Sequence, residues 1–328
     1  MQQGQEQERK QTVTADGYDQ ESRAARADER RRLNSAAGRK FALGALSTLA
    51  GGTFWGFSGT AASFLFASYE LDTMWLMGVR QVCAGLMFMV VVALFHRDKM
   101  RALWTCPRDV VQLVLFAGFG LWFNQFWYLT AVKLTNAGTA TVLQCLQLLP
   151  IMAVSCLQQR RAPRKREVLG VALALGGTFL LATGGDPTSL SLSPEGLGAG
   201  LMCGISAACL ALLPAKILPK YGSPVVTGSG MLMAGIVSSA VVQPWNHMPA
   251  LDAPGWGMLA LFIFVGSFLA FMLYLQGVKE IGSMPASLIG TVEPVSATIT
   301  SAVVLGTVFL PTDIVGFAMI IAMVFLTV

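Results

Sequence analysis

The sequence predicts an all-α polytopic membrane fold, with ten transmembrane helices arranged as two inverted five-helix repeats. Three observations carry that prediction. Apolar runs of spanning length follow one another from Phe41 onward, basic residues alternate from loop to loop, and the second half of the chain repeats the first. Composition agrees: hydrophobic residues make up 54% of the 328-residue chain, charged residues only 12%, and the mean hydropathy is +0.59. Soluble domains carry about a quarter charged residues, so too few charges remain here to clothe a water-facing surface. A lipid-facing surface needs none.

Met1 to Lys40 is a different material, rich in Gln, Glu, Arg, Asp and Ala and nearly devoid of large apolar side chains. It cannot bury enough surface to offset its ordering entropy, so residues 1–40 are expected to form a disordered cytoplasmic tail. A secretory signal would have its apolar run close to the N-terminus, and here the first run starts only after this polar segment. The expected spans are 42–67, 73–95, 110–132, 136–157, 168–184, 196–217, 222–243, 255–278, 283–308 and 312–328. Isolated Gly and Pro inside them are compatible with helix, because neighbouring helices satisfy the freed backbone groups.

With the N-terminus cytoplasmic, 21 of the 23 Lys and Arg residues fall on the inner side of this arrangement. They lie in the tail, between His96 and Arg108, from Arg160 to Arg166, and at Lys216, Lys220 and Lys279. The outer loops carry Glu70, Asp72, Asp186, Glu195, Asp252 and Asp313, with Lys133 their only basic residue. The expected topology therefore has both termini cytoplasmic in a multi-pass cell (inner) membrane protein. The net charge of +5 belongs to topology-setting blocks, and no nucleic-acid partner is expected.

The third span ends Tyr128-Leu129-Thr130-Ala131-Val132-Lys133 and the eighth ends Tyr274-Leu275-Gln276-Gly277-Val278-Lys279. Gly138-Thr139 likewise corresponds to Gly282-Ser283, and Pro150 to Pro294. Each half opens with a Gly-xxx-Gly pair, Gly52/Gly56 and Gly200/Gly204, which lets helix backbones approach closely in lipid. The halves are expected at 41–184 and 195–328. An odd number of spans per half inverts one half relative to the other. That produces a two-fold pseudo-axis in the membrane plane, an architecture used by transporters whose site lies near the midplane.

Taken together, these features resemble the EamA-type permeases of the drug/metabolite transporter superfamily over about residues 42–328. The resemblance rests on Trp55-Gly56, on Arg80 early in the second span, and on the Tyr-x-x-[AG] ends of spans three and eight. The prolines of spans four and nine, as in Val292-Glu293-Pro294-Val295, and Gly170 and Gly316 opening the last helix of each half complete it. It implies a five-plus-five inverted repeat and the export or exchange of small metabolites, amino acids or their derivatives foremost. Where such permeases often have Gly-Glu after spans four and nine, this chain has Gln159-Arg160 and Gly306-Thr307.

An ionisable side chain at membrane depth is costly and marks function by default. Two qualify. Glu293 lies midway along the ninth span, and helical spacing lines up Ala286, Gly290, Glu293, Ala297 and Thr300 on one small-residue face. It is expected to be a structural brace, a protonated Glu hydrogen-bonded to backbone freed by Pro294; the functional alternative is to carry a proton or meet a cationic substrate. Arg80 lies in the outer third of the second span, whereas its counterpart helix, Pro224 to Val242, has no charge. It is expected to snorkel to the outer headgroups or to pair with Glu70 or Asp72; the functional alternatives are binding a substrate carboxylate or meeting Glu293.

A second tier is polar and uncharged. Asn124, Gln125 and Tyr128 are expected on one face of the third span, Ser267, Phe271 and Tyr274 on one face of the eighth, and Gln144 and Gln147 on one face of the fourth. With Trp55, Trp122 and Trp127 they would line a cavity for an amphipathic metabolite, or else bond neighbouring helices and anchor them at the interface.

The six cysteines show no CxxC spacing, so neither a metal nor a disulfide framework is expected. His96 and His247 are read as loop residues, and no Walker, HExxH or nucleophile-elbow pattern occurs. The chain is therefore read as a secondary transporter without cofactors. Its expected partners are a small-molecule substrate, the lipid bilayer and protons as a candidate coupling ion, and it would act as a monomer or homodimer. The rival readings are an intramembrane enzyme and a channel or scaffold. An enzyme would need paired acids or a nucleophile–base pair at membrane depth, and a scaffold has no need of an inverted repeat.

Overall fold

A computed structural model describes residues 38–186, 191–246 and 248–327, and among these every regular element is helical. Most of the predicted tail and His247 lie outside the described residues. Helix α1 covers 38–69 and α2 Thr73–Phe95, followed by the short α3, Arg97–Trp104. Next come α4 (Pro107–Leu134), α5 (Ala137–Gln158), α6 (Lys165–Thr183) and α7 (Pro194–Ala215). The short α8 (Ile217–Tyr221) precedes α9 (Ser223–Val242) and α10 (Ala253–Ile281). The chain continues with α11 (Ser283–Gly290), α12 (Val292–Leu305) and α13 (Pro311–Thr327).

Among the described residues, seven helices, α2, α4, α5, α6, α7, α9 and α10, are long and apolar enough to cross a membrane. α1 is long but diluted by glycine, serine and threonine. The ninth predicted span, 283–308, is two helices rather than one. Pro294 has no N–H to offer the carbonyl of Gly290 and its ring crowds that carbonyl, so α11 stops at Gly290 and α12 restarts at Val292. Pro150 acts more mildly on α5, which tightens into a 3₁₀ turn over Cys145–Gln147. Both members of the other matched pair widen instead: α4 carries a π segment at Phe116–Trp122 and α10 one at Phe264–Leu269.

The acidic loops lie at one end of the molecule, and their side chains start helices. Asp72 accepts from the N–H of Trp75 at 2.9 Å, Asn136 from Thr139 at 2.8 Å, Ser193 from Gly196 at 3.0 Å and Asp252 from Gly255 at 2.9 Å. Ties across the halves close this end: the Tyr69 hydroxyl donates to Asp252, and Trp75 Nε1 donates to the Pro244 carbonyl at 3.4 Å. The Tyr69 hydroxyl, then the Gly255 N–H, hold the Asp252 carboxyl below the ordinary aspartate range. Lys133 donates to the Leu71 carbonyl at 3.0 Å.

At the basic end, Lys220 and the Tyr221 hydroxyl both donate to Asp109, at 2.5 and 2.7 Å, joining α8 to α4. Arg161 forks onto Glu167 with two 2.8 Å bonds.

Close packing follows the glycines. A Cβ on Gly85 would meet the backbone of Leu232 at 2.7 Å, and one on Gly235 the backbone of Val82 at 2.6 Å, so α2 and α9 touch at main-chain distance. Gly177 and Gly316 do the same between α6 and α13. Gly52 and Gly56 seat α1 on Val292, Glu293 and Ala297, while Gly200 and Gly204 seat α7 on Leu143 and Leu146.

Candidate functional site

The two proline-induced irregularities meet across one cavity of about 220 Å³. From α5 it is lined by Thr141, Gln144, Cys145, Gln147 and Leu148, and from the α11–α12 break by Gly290, Thr291, Glu293 and Pro294. Trp55 of α1, Tyr274 of α10 and Val324 of α13 complete the wall. Five of the predicted site residues, Glu293, Trp55, Gln144, Gln147 and Tyr274, therefore share this one space. Trp55 is fixed by Phe271 and Tyr274, with ring centroids 4.8 and 4.9 Å away. The carboxyl of Glu293 accepts no hydrogen bond from the described residues and faces the cavity half-buried.

Burial changes sharply at the cavity. Every residue of α5 from Ala137 to Leu143 is buried, whereas from Leu148 to Gln158 only Cys156 is. On the acidic-end side the hydroxyl of Thr60 of α1 lies 2.6 Å from that of Thr300 and 3.3 Å from that of Ser301 of α12. The more exposed half of α5 therefore lies on the basic-end side of the cavity.

The other four predicted residues lie outside the cavity wall. Arg80 neither snorkels nor pairs with Glu70 or Asp72: it is 6% exposed and held inside the bundle. Its Nε donates to Ser267 Oγ at 2.5 Å, one terminal nitrogen to Gln125 Oε1 at 3.1 Å, and the other to the Gly266 carbonyl at 3.4 Å. Its guanidinium carbon sits 4.3 Å from the Phe262 ring centroid. The reason is local. Ser267, in the π segment of α10, and Gln125 of α4 offer Arg80 acceptors inside the bundle. Asn124 instead donates to Ser206 at 3.3 Å.

Tyr128 joins the two regions, its hydroxyl 3.4 Å from that of Thr141 in the cavity wall. Arg80 and Glu293 make no direct ion pair among the described residues, although each lies within electrostatic range of the other and of Tyr128. Trp122 and Trp127 do not line the cavity, and their indole nitrogens are buried without a partner among the described residues. The expected face Ser267–Phe271–Tyr274 is split, because the π segment adds a residue to the turn and sends Ser267 to Arg80. Of the expected Ala286-to-Thr300 face, Gly290 and Glu293 line the cavity on either side of the break at Thr291, while Ala297 packs on Gly56 and Thr300 on Thr60.

Sequence reasoning placed Gly290 beside Glu293 but missed Thr141, Cys145, Leu148, Thr291 and Val324 as wall residues. The signal was present, since Pro150 and Pro294 lie four residues after Leu146 and Gly290, whose carbonyls they leave without a helical donor. A larger groove of about 440 Å³ between α2 and α9 is lined by apolar side chains and Ser239 and holds no charged group.

The profile of the EamA-like transporter family matches this chain twice, at residues 42–183 and 195–328. An uncharacterized inner membrane transporter of Salmonella typhimurium, YicL, is 31% identical over 287 residues, covering 86% of this chain and 94% of that protein. An uncharacterized transporter of Bacillus subtilis, YyaM, is 25% identical over 221 residues, 65% of this chain and 72% of its own length. One crystal structure superposes with a TM-score of 0.58 at 18% identity, over 86% of this chain and 95% of the other, and shows a shared fold. The doubled match spans both halves of a polytopic helical protein, and the similarity is to transporters rather than enzymes: the chain belongs to the EamA-like transporter family.

Proposed function

We propose that this membrane transporter is a secondary carrier that exports small organic metabolites, such as amino acids or their derivatives, by exposing the Glu293 cavity alternately to the two sides. The observation that carries this reading is a single carboxylate facing a cavity at the meeting point of two helix irregularities, with the buried half of α5 on its acidic-end side and the more exposed half on its basic-end side. With the basic end cytoplasmic, this is an inward-facing state.

Support for alternating access comes from interchangeable packing. Exchanging the halves converts the seat of α1 on α12 into the seat of α7 on α5 and leaves the α2–α9 and α6–α13 pairs as they are. The matched π segments of α4 and α10 obey the same exchange. Two inverted five-helix repeats related in this way have two packings of similar energy, one open to each side. Glu293 would meet a cationic group of the substrate or exchange a proton with it, while Gln144, Gln147 and Tyr274 supply hydrogen bonds and Trp55 an apolar wall.

The test is counterflow in proteoliposomes, with candidate metabolites chosen from an efflux screen. Saturable counterflow is expected for the intact protein, and Glu293→Gln is expected to lower it at least about tenfold, as for loss of a charge-assisted contact. Linear, unsaturable flux would point to a channel. Unchanged transport with unchanged pH dependence in Glu293→Gln would remove the carboxylate from the mechanism.

A further inference from the structure

A buried guanidinium with no carboxylate beside it needs an explanation. Arg80 is 6% exposed, has five N–H donors and spends three of them on neutral acceptors, one of these a long 3.4 Å contact to the Gly266 carbonyl. Desolvating a cation is costly unless it is paired, and beyond the Phe262 ring face and the more distant Glu293 charge no anion contacts the guanidinium directly.

Its surroundings are polar and under-satisfied. Ser58 Oγ packs directly against Gly266, whose carbonyl accepts from Arg80, and has no hydrogen-bond partner among the described residues. The residues that hold Arg80 also come from both halves, Gln125 from α4 and Ser267 from α10. Any movement of one half against the other must change how many of its donors are occupied. Tyr128, within electrostatic range of Arg80, touches Thr141 in the cavity wall, so the two regions adjoin.

We propose that Arg80, with Gln125 and Ser267, forms an anion station that receives a carboxylate group of the transported molecule when the halves rearrange, and that is occluded in the inward-facing state. This rests on the carrier reading above and deepens it. A substrate with a carboxylate for Arg80 and a cationic group for Glu293 would use both buried charges, one at each station. In the occluded state Gln125 and Ser267 act as place-holders, accepting the N–H groups that the carboxylate later takes.

The experiment is thermal unfolding of the full chain in detergent with acetate, propionate and benzoate as probes. Their amides and chloride at matched ionic strength serve as controls. The three carboxylates are expected to raise the melting temperature saturably, with no shift from the amides or chloride. Arg80→Gln should weaken the apparent affinity about tenfold or more, and Arg80→Lys should weaken it less. Should Arg80→Gln fail to fold, Gln125→Leu and Ser267→Ala decide. Both strip a place-holder from Arg80, and both should unfold at a lower temperature and gain more stabilisation from carboxylates than the parent does.

A purely structural Arg80 predicts the lower melting temperature without that extra anion rescue. The proposal is overturned if amides or chloride match the carboxylates, if Arg80→Gln keeps the same midpoint, or if the place-holder variants show no extra rescue. Counterflow separates this from the carrier reading. Absent flux with an intact Arg80-dependent shift sinks the carrier and keeps the anion station; saturable flux with no such shift does the reverse.

Discussion

Residues at this depth act through what their neighbours permit. Arg80 was legible in the sequence as an intramembrane charge, but its role was not, because snorkelling depends on a clear path to the headgroups and Ser267 and Gln125 close it. Glu293 was legible for the same reason and does face a cavity. Gly56 shows how finely a single side chain is limited. An added Cβ would lie 2.5 Å from the Glu293 carbonyl oxygen and 2.6 Å from the Ala297 nitrogen, both backbone atoms that cannot step aside. Gly56→Ala is expected to cost about 1–3 kcal/mol through forced separation of α1 and α12. Gly118→Ala, where a Cβ meets nothing within 4 Å, is expected to be near neutral. Chemical denaturation in micelles measures both, and equal effects would contradict the packing account.

Elements carry the next layer. Helix positions followed from hydropathy, and α2 begins and ends where predicted, at Thr73 and Phe95. The break at Thr291 could have been read from Pro294, since a proline always deprives the carbonyl four residues earlier. The π segments could not, because their extra residue depends on packing that no local pattern encodes. Pro294→Ala returns an N–H to the Gly290 carbonyl and should fuse α11 with α12. Higher melting temperature with slower counterflow is the expected pair of outcomes. Faster transport would mean that the break is not part of the cavity's working geometry. Pro150→Ala should act in the same direction but less strongly, because α5 is only tightened there.

Across the whole molecule, the loop charges set the two ends apart, and tertiary ties join the halves at both, Tyr69 to Asp252 at the acidic end and Lys220 and Tyr221 to Asp109 at the basic end. With the basic end cytoplasmic, a cysteine placed at Asn246 in a background lacking the six native cysteines should react with a membrane-impermeant maleimide in intact cells. One at Gln159 should react only after lysis, and the opposite labelling would invert the topology. The tie between Tyr69 and Asp252 also has a pH signature. The folded Asp252 carboxyl sits below its ordinary range, so the tie contributes fully above that range and is lost as pH falls through the lowered value. Asp252→Asn should remove that part of the acid sensitivity, as read from melting temperature against pH.

What the sequence determined by itself was where most of the apolar helices lie, how charge alternates between their ends and that short segments such as Tyr128–Lys133 and Tyr274–Lys279 recur between the halves. Each of these depends on summed transfer of residues into lipid or on local order along the chain. Only the tertiary structure decided that Glu293 shares a cavity with Gln144, Gln147, Trp55 and Tyr274 while Arg80 is held apart by Ser267 and Gln125. The physical reason is rotation. A π turn, a 3₁₀ turn or a proline break shifts every later side chain around its helix axis, and inside a bundle that shift decides which partner it meets.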